Sequence, residues 1–426
     1  MLKLLTLITS HREKMRRTSS CQTVVEQKYS TMEDLKMPKL HVSQSRKRRS
    51  WESVLTMAVV IPLIVALVSS PIDPVAYKYS NKTMPELVGV LAVNDGLQKA
   101  TRLEFEGDMV GPEAFAVDKN GDLYSGLKDG RIVKINVTDE SYTVISRLSE
   151  PPYFHCDSPG EKCSRPLGLD FDPNGNLIVA DPFTGLLKIN VITGEKSVLS
   201  GGEASSFAAF NNLAVLPNGS IFVTKFCQRN DFALEVFEGI PSGKLLHYNP
   251  VTDTLHTVVP DLFLPNGVSV SNDGESVLVS ETGRARILRY YVKGAKAGQT
   301  EIFADNLPGL PDNIQPSSKG GYWVAFPFIR HVQSLDFFAE NAWLRRILVH
   351  FRAILPLLVP QHVMVARLDE NGTIVETLHD QGAHTLHSIS EAFEYHNELL
   401  IGSFDAPFIG KLTLNHQHSS NIRPVH

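Results

Sequence analysis

From about residue 85 to 415 apolar and polar residues alternate in short runs, and the runs come in pairs joined by Asn-Gly or Asp-Gly. Two clear copies are Phe115-Ala116-Val117-Asp118-Lys119-Asn120-Gly121-Asp122-Leu123-Tyr124 and Leu169-Asp170-Phe171-Asp172-Pro173-Asn174-Gly175-Asn176-Leu177-Ile178. Counting the further copies, the turn residues fall at 121, 175, 219, 274, 321 and 397, at intervals of 54, 44, 55, 47 and 76. Period-2 alternation across a tight turn predicts hairpins, and a repeat of about 40 to 50 residues predicts one four-stranded blade. Second hairpins follow the first, as at Leu187 to Asn190 before Thr193-Gly194 and Leu245 to Tyr248 before Asp253. The expected fold is therefore an all-β, six-bladed β-propeller over 85–415, and the near absence of helical periods between strands excludes a parallel βαβ sheet.

The long last interval predicts an insertion at about 330–360. Leu335, Phe338, Trp343, Ile347, Phe351 and Leu355 recur at mostly helical spacing over 334–358, interrupted by Arg345, Arg346 and Arg352, with Ser334 or Asp336 placed to cap a helix. Such a segment is expected to lie across one propeller face as a lid or to dip into a nearby bilayer.

Residues 53–72 form an uncharged run centred on Met57 to Val68, with no polar stripe. Twenty residues at about 1.5 Å each span a hydrocarbon core of roughly 30 Å. Arg46, Lys47, Arg48 and Arg49 stand directly before it, and the positive-inside rule keeps such a cluster cytosolic. This predicts a type II signal-anchor: a basic cytoplasmic tail over 1–50, a single transmembrane helix over 51–72, a linker over 73–84, and a propeller in the endoplasmic reticulum lumen or at the cell surface, followed by a tail at 416–426. The stretch from Leu2 to Ile8 is too short to span, and the 50 residues before the apolar run disfavour a cleaved signal peptide.

Charge supports this division. Residues 1–50 carry 12 Lys+Arg and 4 Asp+Glu, so they contribute +8 of a net −5 and the remainder sums to −13. Nothing in that balance suggests nucleic acid as a partner, and four cysteines exclude a disulfide-built scaffold. Sequons at Asn81, Asn136, Asn218 and Asn371 all follow the anchor and predict N-glycosylation. Cys156 and Cys163 bracket Pro159-Gly160, and an oxidising compartment favours a disulfide between them, leaving Cys227 as a buried apolar residue.

Eight residues before the turn positions stand Glu113, Leu167, Asn211, Asn266, Asn313 and Ile389, with Asp312 beside Asn313. Equivalent positions of each blade's inner strand approach the propeller axis, so Glu113, Asn211, Asn266, Asp312 and Asn313 are expected to converge there. Carboxylate and amide oxygens without His or Cys suit a hard cation, and two carboxylates neutralise calcium.

Arg165-Pro166-Leu167-Gly168-Leu169 with its Asp-Pro-Asn-Gly turn, Leu264-Pro265-Asn266-Gly267-Val268, Pro311-Asp312-Asn313-Ile314 with Gly320-Gly321-Tyr322-Trp323-Val324, and Ile401-Gly402-Ser403-Phe404 resemble the strictosidine synthase-like six-bladed propellers. The resemblance implies kinship with paraoxonases and other calcium-dependent lactonases and arylesterases, whose calcium ligands lie in the matching motifs. Two positions depart from it. Where lactonase relatives carry Pro-His-Gly with His as general base, this chain has Leu167, which moves no proton. Where strictosidine synthases place their acid, this chain has Ser390, with Glu391 one residue on, so amine–aldehyde condensation is not expected. What remains is calcium-assisted hydrolysis of a small apolar ester or lactone, with Glu113 or Asp312 activating water. The competing expectation is a non-catalytic binding or adhesion propeller that calcium only stabilises. His379, His384 and His387 precede the last blade at no metal-binding spacing, and are expected on loops.

Overall fold

The computed structural model describes residues 57–414, apart from 59, 62, 106–108, 149–163, 202–207, 230, 331–333 and 354–360. The predicted Cys156–Cys163 pairing, the tail 1–50 and residues 53–56 of the apolar run lie outside the described residues. The chain divides into Met1–Val59, of which only Met57 and Ala58 are described, and Val60–His426, which holds the propeller.

Six antiparallel four-stranded sheets follow one another along the chain. Blade 1 is Phe115–Val117, Leu123–Gly126, Arg131–Asn136 and Ser141–Arg147. Blade 2 runs from Gly168–Phe171 through Leu177–Asp181 and Gly185–Ile189 to Lys196–Ser200. Blades 3 and 4 start at Phe210–Val215 and Pro265–Val270, blade 5 at Ile314–Pro316 and blade 6 at Ile389–Tyr395. Blade 6 takes its outermost strand, Thr101–Leu103, from the N-terminal side of blade 1, pairing it with Ile409–Thr413. That strand closes the ring and had no pattern signal, being three residues long.

Every repeat turn joins the first and second strands of a blade. Gly121, Gly175, Gly219, Gly274 and Gly321 all adopt positive φ there, which a side chain tolerates poorly. His396 takes the same region in blade 6, which has no turn glycine. In blades 1 and 2 the turn is locked by Asp118 and Asp172, whose Oδ1 each accept two turn N–H groups at 2.8 and 2.9 Å.

Inner strands are buried on both faces because each sheet packs on two neighbours. Leu177 and Val179 enter the core between blades 1 and 2, whereas Ile178 and Ala180 enter the one between blades 2 and 3. Tyr322, Val324 and Phe326 likewise face blade 4, while Trp323 and Ala325 face blade 6. Six such interblade cores, one per gap, hold the ring.

Two excursions interrupt the meander, both between second and third strands. Blade 3 inserts the helix Phe232–Glu238, capped by Asp231 accepting from Leu234 N, a segment without a sequence signal at its seven-residue length. Blade 5 inserts Ser334–Glu340 and Ala342–Leu348 followed by a 3-10 turn, Val349–Phe351. The insertion thus lies where expected but breaks at Asn341 rather than forming one helix. Within the apolar run Met57, Ala58, Val60, Ile61 and 63–68 are helical. No helix among the described residues is long and apolar enough to cross a membrane.

Candidate metal centre

Each blade's first strand begins on the face where its second strand ends, so the starts of the inner strands and the helical excursions share one face of the ring. The predicted site residues stand at those starts. In blade 3 the register runs Phe210↔Lys225 then Leu213↔Val223, so Asn211 and Asn212 oppose Thr224 alone. Blade 4 repeats this with Asn266 and Gly267 against Ser280, and blade 6 shifts between Ile389 and Glu391. A bulge re-aims side chains that regular pleating would send between blades. Gly267 is obligatory at this spot, because a Cβ there would lie 2.5 Å from Asn313 Cα.

Contacts across the ring show which residues meet. Asn212 Nδ2 donates to Asn313 Oδ1 at 2.6 Å, joining blades 3 and 5. Arg165 Nη2 stands 3.9 Å from Glu113 Oε2, joining blades 2 and 1. Asp312 feels the charges of both Glu113 and Glu391 and the amide of Asn266. Ser390 Oγ donates to Glu113 O at 2.8 Å, and Thr224 Oγ1 to Asn266 O at 2.7 Å, fixing the backbones that carry the site.

Four oxygens in this set are buried with no hydrogen-bond donor: Glu113 Oε2, Asn211 Oδ1, Asn266 Oδ1 and Asp312 Oδ1. A buried acceptor without a donor costs about 1–3 kcal/mol, so each of the four, drawn from four blades, calls for a partner. Asn313 differs. Its oxygen is occupied by Asn212 and its Nδ2 is the buried atom without an acceptor. Turning both amides over keeps the Asn212–Asn313 bond and presents a fifth bare oxygen instead. No three His, Cys, Asp or Glu side chains among the described residues come together as a metal-ligand group, so the donor set is one of mixed carboxylate and amide oxygens. It fits a hard divalent cation of calcium's type.

Electrostatics agree. Burial pushes Glu113 up to about 7 against the opposing pull of Arg165. Burial, then the charges of Glu113 and Glu391, raise Asp312 well above the carboxylate range, while the amide of Asn266 and Arg165 oppose them. Glu391 is carried up to about 8 by burial, although Gln315 and Phe115 N–H stabilise its anion. Glu113 and Asp312 have Arg165 as their opposing cation and Glu391 adds a further buried acid, so the site lacks positive charge.

Glu391 was the residue sequence spacing undervalued. The blade 6 shift turns Ser390 to the Glu113 carbonyl and aims Glu391 at Phe115 N and Gln315 Nε2, both at 2.5 Å. Leu167 occupies the expected ring position in blade 2, its N–H bonded to Ala180 O, and contributes no polar atom. His384 and His387 lie on the loop before the last blade as expected, and His379 does not. His379 is wholly buried in the outer strand Ile374–Gln381, its Nδ1 2.9 Å from His362 Nε2, because the segment around Asn94 covers it; burial holds it down at about 4. His384 is exposed, and His387 packs edge-on against Phe408. Cys227 is buried as expected, and burial pushes its thiol up to about 12.

The fold and the bulged inner ring define a strictosidine synthase-like propeller. The family model described as strictosidine synthase matches residues 211–295, and that described as strictosidine synthase-like, N-terminal, matches 89–135. Adipocyte plasma membrane-associated protein of Gallus gallus is 39% identical over 85% of this chain and 89% of its own length, and that of Homo sapiens is 38% identical over 85% and 89%. Hemomucin, of the same name group, from Drosophila melanogaster is 32% identical over 75% of this chain and 61% of its own. The chain belongs to the adipocyte plasma membrane-associated protein family. In fold it is similar to a gluconolactonase of Xanthomonas campestris, with TM-score 0.50 and 17% identity over 82% of this chain and 99% of that one. It is also similar to a luciferin-regenerating enzyme, with TM-score 0.50 and 14% identity over 74% and 95%.

Proposed function

We propose that this protein is a membrane-anchored, lumenal or extracellular calcium-dependent hydrolase of aryl esters or lactones. The observation that carries it is the set of four bare oxygens on Glu113, Asn211, Asn266 and Asp312, buried at the mouth of the ring. A calcium ion held by them supplies a Lewis acid for an ester carbonyl. The chain's own part is to orient and to move protons. Asn212, Asn313, Thr224 and Ser390 fix the bulged backbones, so that the acids hold one geometry without substrate. Glu113 or Asp312 is the carboxylate placed to accept a proton from water. Leu167 and Ser390 replace the residues that lactonase and synthase relatives use, and this favours a second reading, a binding propeller that calcium merely stabilises.

Turnover of phenyl acetate and of a simple lactone by the full chain in detergent, with and without chelator, separates the two. The expected result is hydrolysis that chelator and Asn266→Ala each reduce at least tenfold. Calcium-dependent melting without any turnover defeats the hydrolase and leaves the binding reading.

The anchor belongs to the same proposal, supported by the basic cluster before the apolar run and by the relatives' plasma membrane-associated name. Asn81, Asn136, Asn218 and Asn371 are all exposed, so a lumenal propeller leaves each reachable for glycosylation. Endoglycosidase treatment of protein made in animal cells is expected to remove more than one glycan's mass. An unchanged mass overturns the type II topology.

A further inference from the structure

The strongly exposed phenylalanines and tryptophans among the described residues are Phe232, Phe328, Phe337, Trp343 and Phe351. All five lie in the second-to-third-strand excursions of blades 3 and 5, that is, on the face bearing the candidate centre. Apart from those of the apolar helix itself, exposed aliphatic residues are dispersed over turns and outer strands, as at Ile192, Val251, Val198 and Ile302. Five aromatics gathered on one face of a ring is an apolar patch that needs a covering phase.

What covers it follows from the chain leading to it. The apolar helix ends at Val68, and seven residues later Val75 N donates to Glu238 O in the blade 3 excursion at 2.9 Å. Seven residues reach at most about 25 Å. Tyr77 N then donates to Ala339 O of the blade 5 excursion at 3.0 Å, so the linker is strapped between the two helical pieces. His350 Nε2 also lies 3.0 Å from Ala66 O, in the last turn of the apolar helix. The excursions therefore meet that helix at the depth where it leaves the hydrocarbon. Arg346 and Arg352, each about two-fifths exposed, stand at the same level beside Asp73 and Asp231, as interfacial arginines do.

We infer that the face bearing the excursions docks on the bilayer that holds the protein's own anchor, with Phe337, Trp343 and Phe351 inserted among the acyl chains and the ring mouth opening toward lipid. The inference rests on the anchor reading above. It makes the substrate class of the site a bilayer-dissolved apolar ester rather than a water-dissolved one.

Tryptophan fluorescence tests the docking, because the chain has three tryptophans, Trp51, Trp323 and Trp343, and Trp323 is buried. Full-length Trp51→Phe protein, reconstituted in phosphatidylcholine vesicles, is compared with the Trp51→Phe/Trp343→Phe protein. Brominated acyl chains are expected to quench the first at least twofold more than the second, with aqueous iodide having little effect. Quenching of Trp343 by iodide and not by bromolipid overturns the inference, as does shielding from both, which would place a protein partner or a second copy on the patch. Flotation of the same samples reports on the anchor separately. Protein that floats with an unquenched Trp343 keeps the anchor and loses the docking, whereas protein that fails to float loses both.

Discussion

Calcium is expected to raise the melting temperature of the protein by about 4 °C at neutral pH, and Glu113→Gln together with Asp312→Asn to remove the effect. The size follows from linkage: a ligand at 100 times its dissociation constant adds about 2.7 kcal/mol to a native state, and a propeller of this length loses roughly 0.7 kcal/mol per degree near its midpoint. The pH dependence carries a sign. Burial raises Glu113 from 4.5 to about 7 and Glu391 from 4.5 to about 8 in the folded chain. Folded-state carboxyls that hold protons more tightly than unfolded ones contribute stability below pH about 4.5, and lose it as pH rises through 7 and 8. Metal-free protein is therefore expected to melt at falling temperatures from pH 5 to 8. Calcium must displace those protons, so its stabilisation grows over the same window and vanishes near pH 4.5. Scanning calorimetry at half-unit steps, with calcium or chelator, measures both curves. Coincident curves across the window mean that the four bare oxygens hold no calcium.

The hairpin pattern was legible because both of its causes are local. A turn needing positive φ demands glycine at Gly121, Gly175, Gly219, Gly274 and Gly321, and a strand buried on two sides demands unbroken apolar residues. Counting back a fixed distance from the turns found Glu113, Asn211, Asn266 and Asn313 because each stands eight residues before its blade's turn glycine. It missed what the bulges decide. A bulge adds a residue without a sequence mark of its own, so the step that aims Glu391 at Phe115 N and Ser390 at the Glu113 carbonyl was invisible, as was the part of Asn212, which bonds Asn313. Arg165 was seen only as part of a motif, although its guanidinium is the cation nearest Glu113. His379 was placed on a loop because it precedes the last blade. What buries it is Asn94, almost 300 positions earlier, whose Oδ1 accepts the His379 N–H. Long-range cover of this kind leaves no trace in local periodicity.

Arg345, one of the three arginines that interrupt the insertion's apolar spacing, has a specific task in the fold. It is buried, with Nη1 donating to Phe237 O at 2.8 Å and Nη2 donating to Ala339 O at 3.2 Å and to Val75 O, while its guanidinium stacks 4.9 Å from the Tyr77 ring. One side chain thus ties both excursions to the strap that leads to the anchor. Replacing it with alanine takes charge-assisted donors from the carbonyls of Val75, Phe237 and Ala339, of which Ala339 keeps the Tyr77 N–H, at a cost of about 3 kcal/mol. That loss falls on the excursions and the strap, which supply all three bonded carbonyls, rather than on the blades. Chymotryptic cleavage around Tyr77 and Phe337 is therefore expected to accelerate about 100-fold, as 1.4 kcal/mol per tenfold requires. The propeller's own transition should move by only a few degrees. Arg345→Lys restores part of the protection, because an ammonium replaces the charge but not the fork that reaches three carbonyls. If cleavage of Arg345→Ala protein stays at the wild-type rate, the excursions are held by their apolar contacts alone. If the whole propeller unfolds with them, the cap is not a separable layer but part of the structural core, and the ring depends on the strap for its stability.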